Sequence, residues 1–358
     1  MLYKPEFYEP LTETPWDEGR VRDQIANVVS ATDPDACEQT TLYGGASGVI
    51  WALDRLGEVG LAEAALRALE RWRAEPDYPE RLDEPPIRYH ASLFFGESGP
   101  LYTAWFFNRD QALADDLYAR IRENEEAPGN ELMWGSVGTM RVAEAMFEHT
   151  GDERWAESRR RARDILLERR DDEGLWTTLP WGRGLGAAHG ASTTTAVLGE
   201  GHELTAAALA KYAVVEHGLA NWPMVAGDEL LGYDGQIRLQ WCHGGAGVVA
   251  SAAGYLDKEL LLAGAETCWE AGPPDSEEKG PGLCHGTAGT GFAFLKVFER
   301  TGDEMWLDRA RRFAVHALDQ VERSEPRHSL FEGGIGAALL ADQCIDSRRA
   351  LFPIVDVL

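Results

Sequence analysis

The sequence predicts an all-α protein with the architecture of an α/α toroid, a double ring of seven inner and seven outer helices. The first reason is that a short Gly-x-x-Gly element recurs along the chain, and the second is that an apolar, helix-favouring run follows each copy. A third reason is that no alternating apolar and polar run is long enough to predict a sheet domain. We therefore expect residues 1–358 to form a single toroid domain.

The Gly-x-x-Gly element marks the start of each predicted inner helix. A degenerate copy lies at 189–193, and the six complete copies begin at Gly45, Gly96, Gly135, Gly244, Gly286 and Gly333. Glycines three residues apart let backbones approach closely, so we interpret the copies at Gly45, Gly96 and Gly333 as packing devices without chemistry. Seven helix pairs cannot bury their apolar faces alone, and closure into a ring explains why every repeat has an apolar inner helix.

An outer helix is expected after each inner helix. The clearest examples follow the matching segments 150–155 and 301–306, each of which begins with Thr-Gly-Asp-Glu and ends in Trp. The Gly-Asp pair supplies a turn and an N-cap carboxylate, and an Arg-rich amphipathic stretch comes next. Two segments rich in Pro, Gly and charge, 77–88 and 272–282, are expected to be loops on one face of the ring.

The composition excludes several classes of partner. The chain has 60 acidic and 34 basic residues, a net charge of −26, and only five lysines. Such a surface repels phosphate backbones and anionic lipids, so we expect neither a nucleic-acid nor a membrane partner. A carboxylate-rich surface also suits a cytoplasm with high salt, because salt screens the repulsion between like charges.

The N-terminal segment and the cysteines indicate the compartment. The first residues lack the apolar core of a signal peptide, and no later run approaches the length that spans a membrane. The five cysteines are odd in number and lack the regular spacing of a disulfide scaffold. We therefore expect a cytoplasmic protein whose reduced thiols are available for metal binding. We also expect a monomer.

Two Cys-His-Gly elements, at 242–244 and 284–286, are the strongest candidates for chemistry. A thiolate at a helix N-terminus is stabilised by the helix dipole and by unpaired backbone N–H groups, which prepares it to bind a metal. Cys242, Cys284 and His285 would form a Cys₂His set with an open fourth position, which is typical of catalytic zinc. The alternative interpretation is a pair of buried cysteines with adjacent core histidines.

Five motifs, in this order, resemble the lanthionine synthetase C-like (LanC-like) family. The motifs are Asn-Glu-Leu-Met-Trp-Gly at 130–135, Ala-Ala-His-Gly at 187–190, Gln-Trp-Cys-His-Gly at 240–244, Gly-Leu-Cys-His-Gly at 282–286, and Ser-Leu-Phe-Glu-Gly at 329–333 with Phe352 and Pro353. The resemblance covers most of the chain. It implies a toroid of seven inner and seven outer helices in which Cys242, Cys284 and His285 bind zinc.

The resemblance also implies roles for residues outside the zinc set. His189 matches the family's proposed acid or base, and Arg238 matches an active-site arginine. Glu131 stands where bacterial peptide cyclases carry an aspartate, and His243 stands where they carry a tyrosine; both departures are typical of the LanC-like branch. Lys279 matches a lysine that eukaryotic members use towards glutathione.

These residues also have purely structural interpretations. His189 precedes a glycine at a helix start, where a histidine often caps or packs, and Glu131 is placed as an N-cap acid would be. Arg238 alone would be a solvated arginine, and Lys279 belongs to a Glu-Glu-Lys run that is typical of an exposed surface.

The activity implied by the resemblance is the addition of a thiol to a dehydroalanine or dehydrobutyrine residue of a peptide or protein, with Zn²⁺ as the cofactor. The thiol would be glutathione, a related small thiol, or a Cys of the peptide itself. Zinc would lower the pKa of the thiol, His189 would protonate the α-carbon, and Arg238 would stabilise the enolate. Glu131 would orient His189 or Arg238.

Three other functions stay open on the sequence. The first is a lanthionine-forming peptide cyclase that acts with a separate dehydratase, although Glu131 and His243 argue against it. The second is a zinc- or thiol-binding protein without catalysis. The third is an α/α-barrel glycosidase, which needs two carboxylates across a sugar groove, whereas Cys and His are the residues concentrated at the helix starts.

Overall fold

The computed structural model describes residues 2–77, 89–178, 182–227, 237–347 and 349–358, which form fourteen α-helices and two short hairpins. The helices are α1 (Glu18–Ala31), α2 (Ala46–Arg55), α3 (Ala62–Ala74), α4 (Ser98–Asn108), α5 (Gln111–Asn124), α6 (Ser136–Thr150), α7 (Glu153–Arg169), α8 (Ala191–Leu198), α9 (His202–Tyr212), α10 (Gly245–Ala252), α11 (Lys258–Ala271), α12 (Thr287–Thr301), α13 (Glu304–Arg323) and α14 (Gly334–Ile345). The antiparallel hairpins pair β1 (Thr177–Thr178) with β2 (Gly182–Arg183) and β3 (Val214–Glu216) with β4 (Leu219–Asn221). Short 3-10 helices lie at Pro5–Phe7, Pro34–Ala36 and Tyr89–Ala91.

The even-numbered helices form the inner ring and the odd-numbered helices form the outer ring. Along the inner ring, α6, α8, α10, α12 and α14 contact one another in turn, α14 contacts α2, and α2 contacts α4. The first helix, α1, packs against α14 and α13, so it completes the outer ring beside the last repeat. The α/α toroid predicted from the sequence is therefore confirmed.

Each inner helix begins within two residues of the repeat glycine that predicted it. α6 begins directly after Gly135 and α12 begins directly after Gly286. The degenerate copy is also a helix start, because α8 begins directly after Gly190. Among the helices that the structure describes, none is both long and apolar enough to cross a membrane.

The predicted Asp caps are present at the outer helices. The side chain of Asp152 accepts a hydrogen bond from the N–H of Arg154 at 3.0 Å, at the start of α7. Asp303 accepts one from the N–H of Met305 at the same distance, 3.0 Å, at the start of α13. Each cap pairs a backbone donor that the first helical turn leaves without an intrahelical acceptor, so the turn and the helix start are set locally.

Gly247, the second glycine of its repeat, lies where α10 touches the turn before it. A Cβ atom at this position would lie 1.8 Å from the carbonyl oxygen of Trp241, and backbone cannot move aside as a flexible side chain can. We expect Gly247→Ala to lower the free energy of unfolding by about 3 kcal/mol, the upper range for overpacking a core. The matched control is Gly254→Ala, because no heavy atom lies within 4 Å of a Cβ there. Urea unfolding measures both, and equal stabilities would contradict the packing role of the repeat glycine.

A collar of backbone hydrogen bonds joins the turns in front of the inner helices. Its members are the residues two positions before a repeat glycine: Tyr43, Phe94, Ala188, Cys242, Cys284 and Phe331. The N–H of Cys242 donates to the carbonyl of Cys284 at 3.3 Å, and the N–H of Cys284 donates to the carbonyl of Phe331 at 3.0 Å. The N–H of Phe331 donates to the carbonyl of Tyr43, which joins the last repeat to the first. The collar therefore holds the two motif cysteines side by side.

The predicted loop at 272–282 contacts the N-terminal segment. The N–H of Glu9 donates to the carbonyl of Pro273 at 3.0 Å, and the N–H of Asp275 donates to the carbonyl of Phe7 at 2.9 Å. These bonds hold the loop that carries Lys279 against the start of the chain. The other predicted loop, 77–88, lies outside the described residues except for its first residue.

Candidate metal centre

Cys242, Cys284 and His285 lie together at one point of the collar. The two sulfurs and a ring nitrogen of His285 all lie within 4.8 Å of one another. The Nε2 atom of His285 is 3.6 Å from the Sγ atom of Cys284. Two thiols and an imidazole are a donor set that suits Zn²⁺. The structure thus brings together, in one cluster that could hold a metal, the three residues proposed as ligands from the sequence.

The repeat geometry explains why His285, and not His243, joins this cluster. Three residues that directly precede a repeat glycine have side chains that contact the repeat before their own. His189 contacts Trp134, with the ring centroids 4.5 Å apart, and His243 contacts His189, with the ring centroids 5.4 Å apart. By the same rule the side chain of His285 lies against the repeat before its own. The collar residue of that repeat is Cys242, which is close to His285. The repeat before His243 has Ala188 at that place, so it offers no sulfur.

The two cysteines are buried and their protonation is linked. Each is 3% exposed. Burial alone raises the pKa of a thiol, but a hydrogen bond with Cys284 and the charge of His285 bring the pKa of Cys242 well below its ordinary value. Burial and the neighbouring Cys242 raise the pKa of Cys284 well above its ordinary value. Without a cation the pair thus favours one thiolate, and a bound divalent cation would favour two.

Two further side chains hold the sulfurs. The Nε2 atom of Gln240 donates a hydrogen bond to the Sγ atom of Cys242 at 2.8 Å. The side chain of Tyr43 acts on Cys284, because hydrogen bonding from it offsets part of the rise that burial causes in the pKa of Cys284. Donors of this kind orient a thiolate and withdraw charge from it, which tunes a metal that the thiolate binds.

His189 and Glu131 form a hydrogen-bonded pair near the cluster. The Nδ1 atom of His189 is 2.9 Å from the Oε2 atom of the fully buried Glu131. The Glu131 carboxylate also accepts three backbone hydrogen bonds at 2.9, 2.6 and 3.0 Å, from the N–H groups of Met133, Trp134 and Gly135. Because a carboxylate accepts hydrogen bonds, the Nδ1 atom of His189 carries the hydrogen, and Nε2 is the ring nitrogen that would exchange a proton with a substrate. Glu131 therefore both caps its turn and orients His189.

Glu131→Ala tests the structural part of that double role. We expect it to lower the free energy of unfolding by about 3 kcal/mol, because three backbone N–H groups lose their acceptor at a buried position. Glu126→Ala, at an exposed glutamate shortly before it in the chain, is the control and should leave the stability unchanged within about 0.5 kcal/mol. Thermal and urea unfolding measure both variants. If Glu131→Ala were as stable as the control, the cap would contribute nothing.

His243 lies next to both groups. It follows Cys242 in the chain, and its ring centroid is 5.4 Å from that of His189. Burial lowers the pKa of His243 to about 4, so the ring is neutral at pH 7. Its Nδ1 atom is buried and has no hydrogen-bond partner among the described residues. His243 therefore adds a neutral imidazole, and no charge, to this side of the cluster.

Arg238 and Lys279 line a small cavity at the edge of the cluster. The cavity has a volume of about 220 Å³, and His285 forms part of its wall. Lys4 also lines it, together with one acid, Glu278. Three cations around one cavity are unusual in a chain with a net charge of −26. The cavity can therefore attract an anionic group to the side of His285.

Three residues at these groups were not predicted from the sequence: Tyr43, Gln240 and Lys4. Gln240 had a detectable signal, because it stands four residues before a repeat glycine, the same place as Glu131. Tyr43 and Lys4 belong to the first part of the chain, and only ring closure brings them to motifs that lie more than half the chain away. No local pattern marks them.

A helical toroid with two thiols and an imidazole clustered where its inner helices begin defines the class of protein. The family model described as "Lanthionine synthetase C-like protein" matches residues 36–357, and the chain therefore belongs to this family. The resemblance inferred from the five motifs is confirmed.

Known relatives match parts of the chain. "Glutathione S-transferase LANCL1" of Danio rerio is 32% identical over 134 residues, which are 34% of this chain and 32% of that protein. "LanC-like protein GCL1" of Arabidopsis thaliana is 30% identical over 131 residues, which are 32% of this chain and 29% of that protein. The matched part thus spans about a third of the length of these curated relatives. Among solved structures, nisin cyclase aligns with a TM-score of 0.59 and 16% identity over 91% of this chain and 92% of its own, which shows a shared fold.

Proposed function

We propose that the chain is a zinc-dependent enzyme that adds a thiol to dehydroalanine or dehydrobutyrine residues of peptides or proteins and forms a thioether. The observation that supports this most is the cluster of Cys242, Cys284 and His285, within 4.8 Å, near the hydrogen-bonded pair of His189 and Glu131. A thiol addition needs a site that favours a thiolate and a group that exchanges a proton, and these two features supply one of each.

Cys242, Cys284 and His285 would hold the zinc ion. When bound, Zn²⁺ supplies a Lewis acid that lowers the pKa of a substrate thiol. The chain's own part is to hold the two sulfurs side by side, through the collar and the hydrogen bond that Gln240 donates to Cys242. Their burial excludes water from the sulfurs.

The proposed reaction is a net addition of R–S–H across a carbon–carbon double bond. The S–H bond breaks and its proton leaves to solvent, and a bond forms between sulfur and the β-carbon. The electron pair of the double bond moves towards the α-carbon and its carbonyl oxygen, and the α-carbon then takes a proton. His189 would first take up a proton from solvent at Nε2 and then deliver it to the α-carbon, and Arg238 would stabilise the charge on the carbonyl oxygen. No oxidant or reductant is needed.

The small cavity supports an anionic thiol such as glutathione as the first substrate. Glutathione carries two carboxylates, and Lys4, Arg238 and Lys279 line the cavity that ends at His285. The name of the Danio rerio relative, a glutathione S-transferase, supports the same choice. We further propose a cytoplasmic location, which the free state of all five cysteines supports because reduced thiols persist there.

Lys279→Ala tests the assignment of this cavity. We expect it to raise the KM for glutathione about fivefold, the upper range for a partly exposed ion pair, and to leave the KM for uncharged 2-mercaptoethanol unchanged. Lys258→Ala, at the start of α11, removes the same charge without touching the cavity and is the control. Steady-state kinetics with both thiols measure the effect. An equal rise for both thiols would contradict a role for Lys279 in charge recognition.

Mass spectrometry tests the proposed function as a whole. Zinc-loaded protein is incubated with a dehydroalanine peptide and glutathione, and an adduct with the summed mass supports the proposal. A second peptide, which also contains a Cys, tests the peptide cyclase, because ring closure leaves the mass unchanged but protects the thiol from alkylation. Tight zinc binding without any thioether product, with either peptide, would contradict an enzyme and favour a binding protein.

A further inference from the structure

A second and larger cavity lies on the same face of the toroid. It has a volume of about 670 Å³ and is bounded by α1, the C-terminal end of α13 and the segment 276–281. Glu278 and Lys279 line both this cavity and the small one, so the segment that carries them separates the two. The larger cavity has no role in the function described so far.

Glu332 connects the larger cavity with the metal cluster. It directly precedes a repeat glycine, the place from which His189, His243 and His285 each contact the repeat before their own. It follows Phe331, whose carbonyl accepts the hydrogen bond from the N–H of Cys284 at 3.0 Å. Glu332 also lines the larger cavity. The wall of this cavity is thus one residue away from a hydrogen-bond partner of a candidate ligand.

Gln24 presents an unsatisfied acceptor at this cavity. It is 7% exposed and lies on α1. Its Nε2 atom donates to the Oε1 atom of Glu322 at 2.8 Å and lies 3.5 Å from the Oδ1 atom of Asp319. Both partners are carboxylates, which only accept, so the orientation of the amide is set. Its Oε1 atom is buried and has no hydrogen-bond partner in the described part of the chain. A buried carbonyl oxygen in this state gains from an N–H donor supplied by a ligand.

The two cavities differ in the size and charge of what they suit. A volume of about 670 Å³ is within the usual range for a bound organic ligand, roughly 300–1,000 Å³, and it exceeds the 220 Å³ of the small cavity. The larger cavity has cations such as Arg327 and acids such as Glu325 on its walls, so it does not select one sign of charge. Asn27, Thr32 and Ser276 add polar groups. These walls suit a peptide main chain better than an anion.

We propose that the larger cavity binds the main chain of the acceptor peptide, and that Gln24 Oε1 accepts a hydrogen bond from a backbone N–H of that peptide. The proposal rests on the proposed function, because a reaction between two substrates at one cluster needs a binding cavity for each substrate. The small basic cavity takes the thiol, and the larger polar cavity takes the peptide. The segment 276–281 lies between the two cavities.

Filling the larger cavity tests this assignment. The probe is a short fluorescein-labelled peptide with a central dehydroalanine, and its binding to the full, zinc-loaded chain is followed by fluorescence anisotropy without any thiol. We expect Asn27→Trp, at an exposed position that lines the cavity, to weaken binding at least about tenfold. Ala26→Trp, its exposed neighbour outside the lining, should bind as the unchanged protein does. Glu325→Trp, on another wall, is a second filling variant in case the first folds poorly.

The hydrogen bond to Gln24 has its own test. Methylating the peptide's amide nitrogens one at a time removes one N–H donor in each probe. One methylated probe should bind about three- to tenfold more weakly to the unchanged protein, but not to Gln24→Met, which has already lost the acceptor. That coupling is a readout that a purely structural role of Gln24 would not produce. Additive effects at every peptide position would overturn the hydrogen bond.

The outcomes separate this inference from the proposed function. Equal probe affinity for the unchanged protein and both filling variants, or no binding at all, overturns the inference even if thioether forms. Binding that the filling variants abolish, with no thioether on addition of thiol, supports the peptide site and contradicts the enzyme. With an active enzyme, the filling variants should raise the KM for the peptide and leave the KM for glutathione unchanged.

Discussion

Cys284→Ala is expected to remove zinc from the protein and to stop thioether formation. The sulfurs of Cys242 and Cys284 and the ring of His285 lie within 4.8 Å of one another, and two donors alone cannot close a site for Zn²⁺. Zinc content should fall from one ion per chain to nearly none, and the rate of adduct formation should fall by roughly a thousandfold. Elemental analysis and mass spectrometry of the adduct measure the two effects.

Cys344→Ala is the matched control for this experiment. Cys344 is a fully buried, free cysteine on α14. Its replacement by Ala therefore also removes one thiol group, but from a core position outside the cluster. It should cost some stability and leave zinc content and rate unchanged. Full zinc and full activity in Cys284→Ala would contradict the assignment of the metal centre.

His189→Asn is expected to lower kcat by roughly a hundred- to ten-thousandfold while the zinc content stays unchanged. His189 is held by Glu131 and is not one of the three clustered donors, so the metal does not depend on it. Without a placed acid, the α-carbon takes its proton from solvent on either face. The product should therefore change from one epimer to a mixture, which chiral analysis of the hydrolysed thioether detects.

The epimer ratio separates a proton donor from a residue that only supports the fold. His149→Asn is the control, because His149 packs against Trp105 and Phe106 near the C-terminal end of α6. It should retain both the rate and the single epimer. An unchanged epimer ratio in His189→Asn would mean that another group protonates the α-carbon.

The fold could be predicted in detail because its signals are local. A glycine that lets a turn approach its helix, an Asp that caps the next helix and an apolar run between them all act within one repeat. For this reason even the degenerate copy predicted a helix, and α8 begins directly after Gly190. Because such units recur, they can bury their apolar faces only by stacking into an open solenoid or by closing into a ring.

The candidate site could be predicted only in part. Equivalent places in neighbouring repeats predicted that Cys242 and Cys284 would meet, and the collar holds them together. Gln24 and its partner Glu322 lie 298 residues apart, and no pattern in the sequence relates them. Such contacts arise only when the last repeat closes onto the first.

By itself, the sequence determined the repeats, the helix starts and the presence of two Cys-His-Gly turns, since each depends on neighbours along the chain. Within those turns His243 and His285 are alike, and no local rule separates them. The tertiary structure decided between them, because such a side chain contacts the repeat before its own. His285 finds Cys242 there, whereas His243 finds Ala188 and His189. The difference between a candidate ligand and a neutral neighbour is therefore a property of the ring.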